Sequence, residues 1–449
     1  MNNLIELEKL IDEKQFKLLR TGITDVNPAD IAALLEELPI EKGVVLFRVL
    51  PKDMASEVFA ELFHEVQQAL VERMSAKEIF EVMEDLFLDD TVDFIEEMPA
   101  IIAKRVLANV TSETRELINQ LLKYPEHSAG SIMTVEYIDL KRHLTVAQAF
   151  DRIRLIGLDK ETIYTCYVTD AERVLKGVVS VKRLLLSEPG QIVGDIMDTS
   201  IIFTHTDTDQ EEVALLFEKY DLINIPVMDS ESRLVGIITV DDIIDVVQEE
   251  ATEDFEKMAA MAPSDKPYLK TGVPKLARNR ITWLIVMMVA AMITGGILET
   301  FEAAIAAMPL LVVFIPMLMD TGGNSGSQSS TMIIRGMALM EIMPKDFIRI
   351  IWKEIRVGLM VGGILSVINF LRVWITYNGN PEIIRVCITV SATLLFTVVL
   401  ANVVGGILPV LAKKCRIDPA VMAAPLITTI VDALSLVVYF SLATLLFRI

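Results

Sequence analysis

The 449-residue chain carries 62 acidic and 41 basic side chains, a formal net charge of -21 at pH 7, and an apolar fraction of 52% that exceeds the soluble norm. The charge is divided: Met1–Asp265 holds 53 acidic and 25 basic residues, a net of -28, whereas Lys266–Ile449 holds 16 basic and 9 acidic, a net of +7. So acidic a first half excludes nucleic acid as a partner. The three cysteines (Cys166, Cys387, Cys415) and four histidines (His64, His127, His143, His205) are too scattered for a disulfide framework or a transition-metal site.

The length allows two to four domains. Met1–Arg20 carries Glu6, Glu8, Asp12 and Glu13 and no apolar core, so a cleavable signal peptide is not expected. From Pro28 to about Lys123 apolar residues recur at helical spacing with no strand-like alternation. Asp30-Ile31-Ala32-Ala33-Leu34-Leu35-Glu36-Glu37-Leu38-Pro39 is echoed sixty residues later by Asp90-Thr91-Val92-Asp93-Phe94-Ile95-Glu96-Glu97-Met98-Pro99. Short amphipathic helices ending at proline predict an all-α superhelical N domain over 1–127.

A second repeat occupies 128–248. Ser131-Ile132-Met133-Thr134 is echoed by Asp195-Ile196-Met197-Asp198, Tyr167-Val168-Thr169-Asp170 by Pro226-Val227-Met228-Asp229, and Gly177-Val178-Val179-Ser180-Val181 by Gly236-Ile237-Ile238-Thr239-Val240. Each unit reads as a short strand, an amphipathic helix, two apolar strands and a closing helix. The pattern resembles a pair of α/β CBS domains, modules that often bind adenine nucleotides, which makes ATP a candidate ligand. An acidic connecting helix and linker follow at 249–275, with Val246, Val247, Phe255, Met258 and Ala259 as its apolar positions.

Residues 276–449 hold five apolar stretches, near Ile281–Leu298, Ala303–Met319, Val357–Tyr377, Val386–Ala412 and Pro419–Phe447, each close to the length needed to cross about 30 Å of hydrocarbon. They predict an all-α five-helix transmembrane domain. The basic residues gather before the first span (Lys266, Lys270, Lys275, Arg278, Arg280), between the second and third (Arg335, Lys345, Arg349, Lys353, Arg356) and between the fourth and fifth (Lys413, Lys414, Arg416). That asymmetry puts the N-terminal half in the cytoplasm and the C-terminus outside. Only Asp320 and Asp432 bring a carboxylate into, or to the edge of, a long apolar run.

After Pro316 comes Asp320-Thr321-Gly322-Gly323-Asn324-Ser325-Gly326-Ser327-Gln328-Ser329-Ser330, rich in glycine and side-chain oxygen. It predicts a broken helix, because irregular backbone at membrane depth is tolerated where it lines a wet cavity. In the last span Asp432 is followed by about fifteen mostly apolar residues and has no basic residue in its own span before Arg448. Such a carboxylate is costly unless paired or wet. Thr428 and Thr429 lie four and three residues before it, near its face. Hard divalent cations prefer oxygen ligands of this kind.

In this order the parts resemble the MgtE family of magnesium channels over nearly the whole chain, on Gly323-Asn324-Ser325-Gly326-Ser327-Gln328, Asp418-Pro419 and Asp432. The resemblance implies a homodimer in the plasma (inner) membrane, with the pore between two membrane domains and magnesium bound by the fifth-span aspartate. Asp432, with Asn324 and Thr428, would then line the pore, and Asp418 would ligate an ion at its mouth or cap its helix. Ala423 and Ala424 offer no side-chain oxygen. The resemblance also implies Mg2+ as a regulator, bridging acidic cytosolic domains to close the pore. The candidates are Asp89, Asp90 and Asp93 in the helical domain, Asp241, Asp242 and Asp245 after the second CBS unit, and Glu249, Glu250, Glu253 and Asp254 on the connecting helix.

Oxygen ligands alone leave manganese and cobalt open as the transported ion. A membrane-anchored metal or nucleotide sensor that conducts nothing is a second alternative, which the glycine-rich run and Asp432 disfavour. An enzyme is not expected, since there is no phosphate-binding P-loop and no nucleophile–histidine pairing. A chloride channel would need basic pore residues.

Overall fold

The computed structural model describes residues 9–264, 268–269, 271–377, 382–422 and 424–448; Lys266, Lys270, Ala423 and the loop segment Asn378–Pro381 lie outside the described residues. The chain divides into two compact units, Met1–Val247 and Gln248–Ile449.

After a helical turn at residues 9–12, the first unit continues with α1 (Phe16–Ile23), α2 (Pro28–Glu37), α3 (Ile40–Phe47), α4 (Lys52–Ala60), α5 (His64–Arg73), α6 (Ala76–Asp85), α7 (Leu88–Glu97), α8 (Ala100–Leu107) and α9 (Ser112–Leu121). The sixty-residue repeat is visible in their burial. Ile31, Leu34 and Leu35 of α2 and Thr91, Phe94 and Ile95 of α7 face the core at equivalent positions. Pro39 and Pro99 then open α3 and α8, stopping one helix and presetting the next. Phe59 joins the two halves, edge-on to Phe47 and to Phe94 at centroid distances of 6.2 and 5.2 Å.

The second repeat builds two sheets of one topology. The first contains β1 (Asp139–Lys141), β2 (Thr165–Thr169) and β3 (Leu175–Ser180), with α10 (Val146–Ile156) between β1 and β2 and α11 (Val181–Leu185) after β3. After α12 (Val193–Ile196), β4 (Thr204–His205), α13 (Gln210–Tyr220), β5 (Asn224–Met228) and β6 (Leu234–Thr239) repeat it. In both, the first strand pairs parallel with the second and the second antiparallel with the third, with a register shift at the matching points Val168/Thr169 and Val227/Met228. The leading segments are exchanged. Thr134 bonds both ways with Ile237 of the second sheet at 2.8 Å, and Asp198 does so with Val178 of the first. Met133 and Met197 accordingly pack on Gly236 and Gly177, where a Cβ would sit 2.6 Å from either sulfur. Directly after β6, α14 (Val240–Met258) runs on as one continuous helix.

The second unit contains five long helices: α15 (Val273–Thr300), α17 (Ile315–Ala338), α18 (Phe347–Thr376), α19 (Ile383–Lys414) and α20 (Ala424–Phe447). The short α16 (Glu302–Ala307) and a 3-10 turn (Pro309–Phe314) link the first two. By length and composition four segments, Val273–Thr300, Pro344–Thr376, Ile383–Lys414 and Pro419–Phe447, suit a membrane span. The second helix departs from expectation twice. It is not Ala303–Met319 but Ile315–Ala338, and Asp320–Ser330 is unbroken α-helix. The glycines there serve close packing rather than a bend: a Cβ on Gly405 of α19 would lie 2.2 Å from the Gly326 carbonyl oxygen. Hydropathy misplaced the span because its contact face is made of glycine and serine. The third helix also begins earlier than Val357, which brings a further carboxylate, Glu354, into its length.

Gly405→Val should therefore prevent α17 and α19 from meeting, seen as loss of monodisperse protein in detergent or a fall of several degrees in Tm. Gly363→Val on α18, where no atom lies within 4 Å of a Cβ, should cost far less.

Candidate metal centres

In the first unit the N-terminus of α7 meets the loops before β1 and before β2. Glu136 Oε2 accepts the Leu88 backbone N–H at 3.0 Å, and the Glu161 N–H donates to the Glu136 carbonyl at 3.0 Å. These bonds gather Asp89, Glu136 and Glu161, whose carboxylate oxygens come within 4.8 Å of one another. Asp89 is buried, and Glu161 Oε2 is buried without a hydrogen-bond partner. Asp242, in the first turn of α14, accepts from the Thr239 N–H at 3.4 Å and from its hydroxyl.

Burial and then mutual repulsion shift these acids upward. Asp89 is pushed up to about 7 by burial and the Asp90 charge, Asp90 to about 7 by burial and Asp242, and Asp242 to about 7 by burial and Asp89. Glu161 is raised to about 9 by burial and the charges of Asp89 and Asp242, and Glu136 is raised chiefly by burial. Asp93 is exposed one turn further along α7. Asp241 is exposed beside Asp242, and its charge reaches Asp90 and Glu161. Asp245 lies one turn on, its pKa raised by partial desolvation of the carboxyl and by the Asp241 charge. Such a site offers oxygen donors and negative charge, which suits a hard divalent cation. Glu136 and Glu161 went unnoticed in the sequence because both lie far from α7 along the chain, and only the fold brings them to it.

In the second unit the end of α14 carries a different arrangement. Glu249 is exposed, and Glu250, Glu253 and Asp254 are half-buried. Lys257 Nζ donates to Asp418 Oδ2 at 2.6 Å and pairs with Glu253 Oε1 at 2.7 Å. Partial burial works against this ammonium, but the bonds to Asp418 and Glu253 outweigh it and hold its pKa above the usual lysine value. Asp254 is raised by burial and by the Asp418 charge. Asp418 Oδ1 accepts the Ala420 N–H at 2.8 Å, capping the 3-10 turn Pro419–Met422. Asp418 is thus both a cap and the partner of a protein cation.

Within the membrane helices, α17 packs its small-residue face on α19 and α20. A Cβ on Gly323 would stand 2.8 Å from Thr428 Cγ2. Ser325 Oγ donates to Asn402 Oδ1 at 2.6 Å, and Ser329 Oγ bonds with the Asn402 carbonyl at 3.0 Å and Glu354 Oε2 at 2.8 Å. Asn324 is exposed on the other side of the helix. Thr428 donates its hydroxyl to the Ala424 carbonyl at 2.8 Å, leaving its oxygen free to accept. Asp432, one turn on, is half-buried, and its Oδ1 has no hydrogen-bond partner.

The family described as "Divalent cation transporter" (MgtE) matches residues 315–442, the MgtE intracellular N domain matches 26–127, and a CBS domain matches 193–249. A magnesium transporter MgtE of Thermus thermophilus is 37% identical over 98% of both chains. The chain belongs to the MgtE family. A second MgtE, from Bacillus subtilis, is 34% identical over 97% of this chain and 95% of its own. Among solved structures, the cytosolic domain of the Mg2+ channel MgtE in complex with ATP is 37% identical, covering 54% of this chain and 99% of that one at a TM-score of 0.52. The soluble part of a magnesium transporter aligns at 27% identity over 56% and 98%, with a TM-score of 0.53. MgtE proteins are divalent cation transporters, not enzymes.

Raised acid pKa values mean that the folded first unit holds protons which the unfolded chain releases near pH 4. Its stability without divalent cation should fall as pH rises from about 4 through 7 toward 9, the range set by Asp89, Asp90, Asp242 and Glu161. Millimolar magnesium should flatten that slope in thermal melts at pH 5, 7 and 8.5. Lys257→Met should leave Asp418 and Glu253 unpaired, so that amide exchange at 250–258 quickens several-fold at low magnesium and slows again when magnesium is added.

Proposed function

We propose that the protein is a homodimeric magnesium channel that admits Mg2+ down its electrochemical gradient and closes when cytosolic Mg2+ occupies the acidic sites. The observation that carries this reading is Asp432: a carboxylate with an unpartnered oxygen, on an apolar helix, beside a helix rich in side-chain oxygen, in a family of divalent cation transporters. Relatives named as magnesium transporters over essentially the full length support the choice of ion.

Each chain supplies one Asp432, and the dimer places two at the pore. Magnesium dehydrates reluctantly, so the ion keeps most of its waters and meets the carboxylates largely through them. Asn324 and the Thr428 oxygen serve as outer partners of that hydrated ion, and Asp418 stands at the cytoplasmic mouth. The N-terminal domains are cytoplasmic and the C-terminus is outside, an orientation that the basic loops support.

Closure follows from electrostatics. Without a cation the carboxylates of Asp89, Asp90, Asp93, Glu136, Glu161, Asp241, Asp242 and Asp245 repel one another, and α7 separates from the CBS pair. A bound divalent ion offsets the repulsion and favours the compact, closed state, a two-state element biased by its ligand. Glu249, Glu250, Glu253 and Asp254 extend the same dependence along α14. ATP binds the CBS pair and biases the same equilibrium, a reading supported by the ATP complex of the 37% identical cytosolic domain.

The test is magnesium flux into liposomes holding the full-length protein, with magnesium set separately on the two faces. Wild type should conduct, lose flux as cytosolic-face magnesium rises, and be outcompeted weakly by manganese. Asp432→Asn should lower flux at least tenfold. Asp89→Asn with Glu161→Gln should stay open at magnesium levels that close wild type. Full flux in Asp432→Asn would remove the pore assignment.

A further inference from the structure

The regular helix through Asp320–Ser330 places Asp320, Asn324 and Gln328 at i, i+4 and i+8, one above another on a single face, and all three are exposed. The opposite face, with Gly322, Gly323 and Gly326, is buried against α19 and α20. The exposed faces of neighbouring helices are of another kind: Ile285, Val289 and Met292 on α15, and Ile364, Val367 and Ile368 on α18, as lipid contact demands. A stripe of carboxylate and amides does not suit hydrocarbon and needs water beside it.

Its depth follows from the contacts between α17 and α20. Gly326 meets Ile427, Gly323 meets Thr428, and Gly322 meets Val431 and Ser435, so the two helices run antiparallel and Asp320 comes level with the turn from Asp432 to Ser435. At this level two fully buried hydroxyls border Gly322 without a hydrogen-bond partner, Thr397 Oγ1 and Ser435 Oγ. Asp320 has no ion pair among the described residues. Arg372 of α18 reaches this end of α17, its Nη2 lying 3.4 Å from Met317 Sδ, one turn before Asp320.

We propose that Asp320 is a second carboxylate of the conduction path, level with Asp432, so that the hydrated divalent ion is held by two carboxylates from each chain. This rests on the pore reading above. A second charge at that depth deepens the attraction for a divalent ion about twice as much as for a monovalent one. Asp320 is therefore a residue that sets affinity and divalent selectivity.

Magnesium flux in liposomes would be compared for wild type, Asp320→Asn, Asp320→Glu, Asp432→Asn and Arg372→Gln. Asp320→Asn should raise the magnesium concentration for half-maximal flux about tenfold while saturating flux stays near wild type. Asp320→Glu should remain close to wild type, and Arg372→Gln should leave half-saturation unchanged. Unaltered half-saturation in Asp320→Asn, with flux lost in Asp432→Asn, would overturn the inference and leave the pore reading standing. Full flux in Asp432→Asn would sink the pore reading itself. An Arg372→Gln variant that reproduced the Asp320→Asn shift would make Asp320 the counter-charge of that arginine and overturn its place in the path. If Asp320→Asn yields no monodisperse protein, Asp320→Ser serves for the same comparison.

Discussion

A carboxylate withdrawn from water must find a proton, a cation or a donor, and this chain withdraws several without supplying enough of any of them. Around α7 the acids share one cramped volume, and no lysine or arginine pairs with Asp89, Asp90 or Glu161 among the described residues. In the membrane helices Asp432 keeps an oxygen with no partner. At the end of α14, by contrast, a protein cation does reach the acids: Lys257 is held by both Asp418 and Glu253. The acids gathered around α7 and Asp432 have no such partner among the described residues.

That demand is met by a membrane unit assembled with very little side-chain bulk. Gly326 and Gly405 let two helix backbones touch, and Gly323 admits Thr428. Close approach brings the serine hydroxyls of α17 to Asn402 and Glu354, which satisfies polar groups that lipid cannot. With its polar atoms tied inward on one face, α17 can present Asn324 and Gln328 on the other.

The multidomain architecture was legible in the chain because it rests on periodicity and on internal echo. The sixty-residue helical repeat reappears as matching burial in α2 and α7, and the second repeat as two sheets with the same strand order and the same register shift. Asp432 stood out for a different reason: an acid in a long apolar run is conspicuous. Two things were hidden. The glycine-rich run reads as a break because glycine's helix penalty is local, whereas the packing that overrides it comes from α19 and α20. Glu136 and Glu161 carry no local signature, since their meaning arises only when β1 and β2 are laid beside α7.

The exchange of leading segments between the two CBS repeats bears on how such a pair can be divided. Each sheet has a slot over a glycine, Gly177 or Gly236, and the arm that fills it comes from the other repeat. A solitary half would expose its own slot and present its own arm with nothing to hold. The complement of both is a second half of the same design. Each repeat is thus completed by the other, and the two halves are clasped before any helix between them is counted.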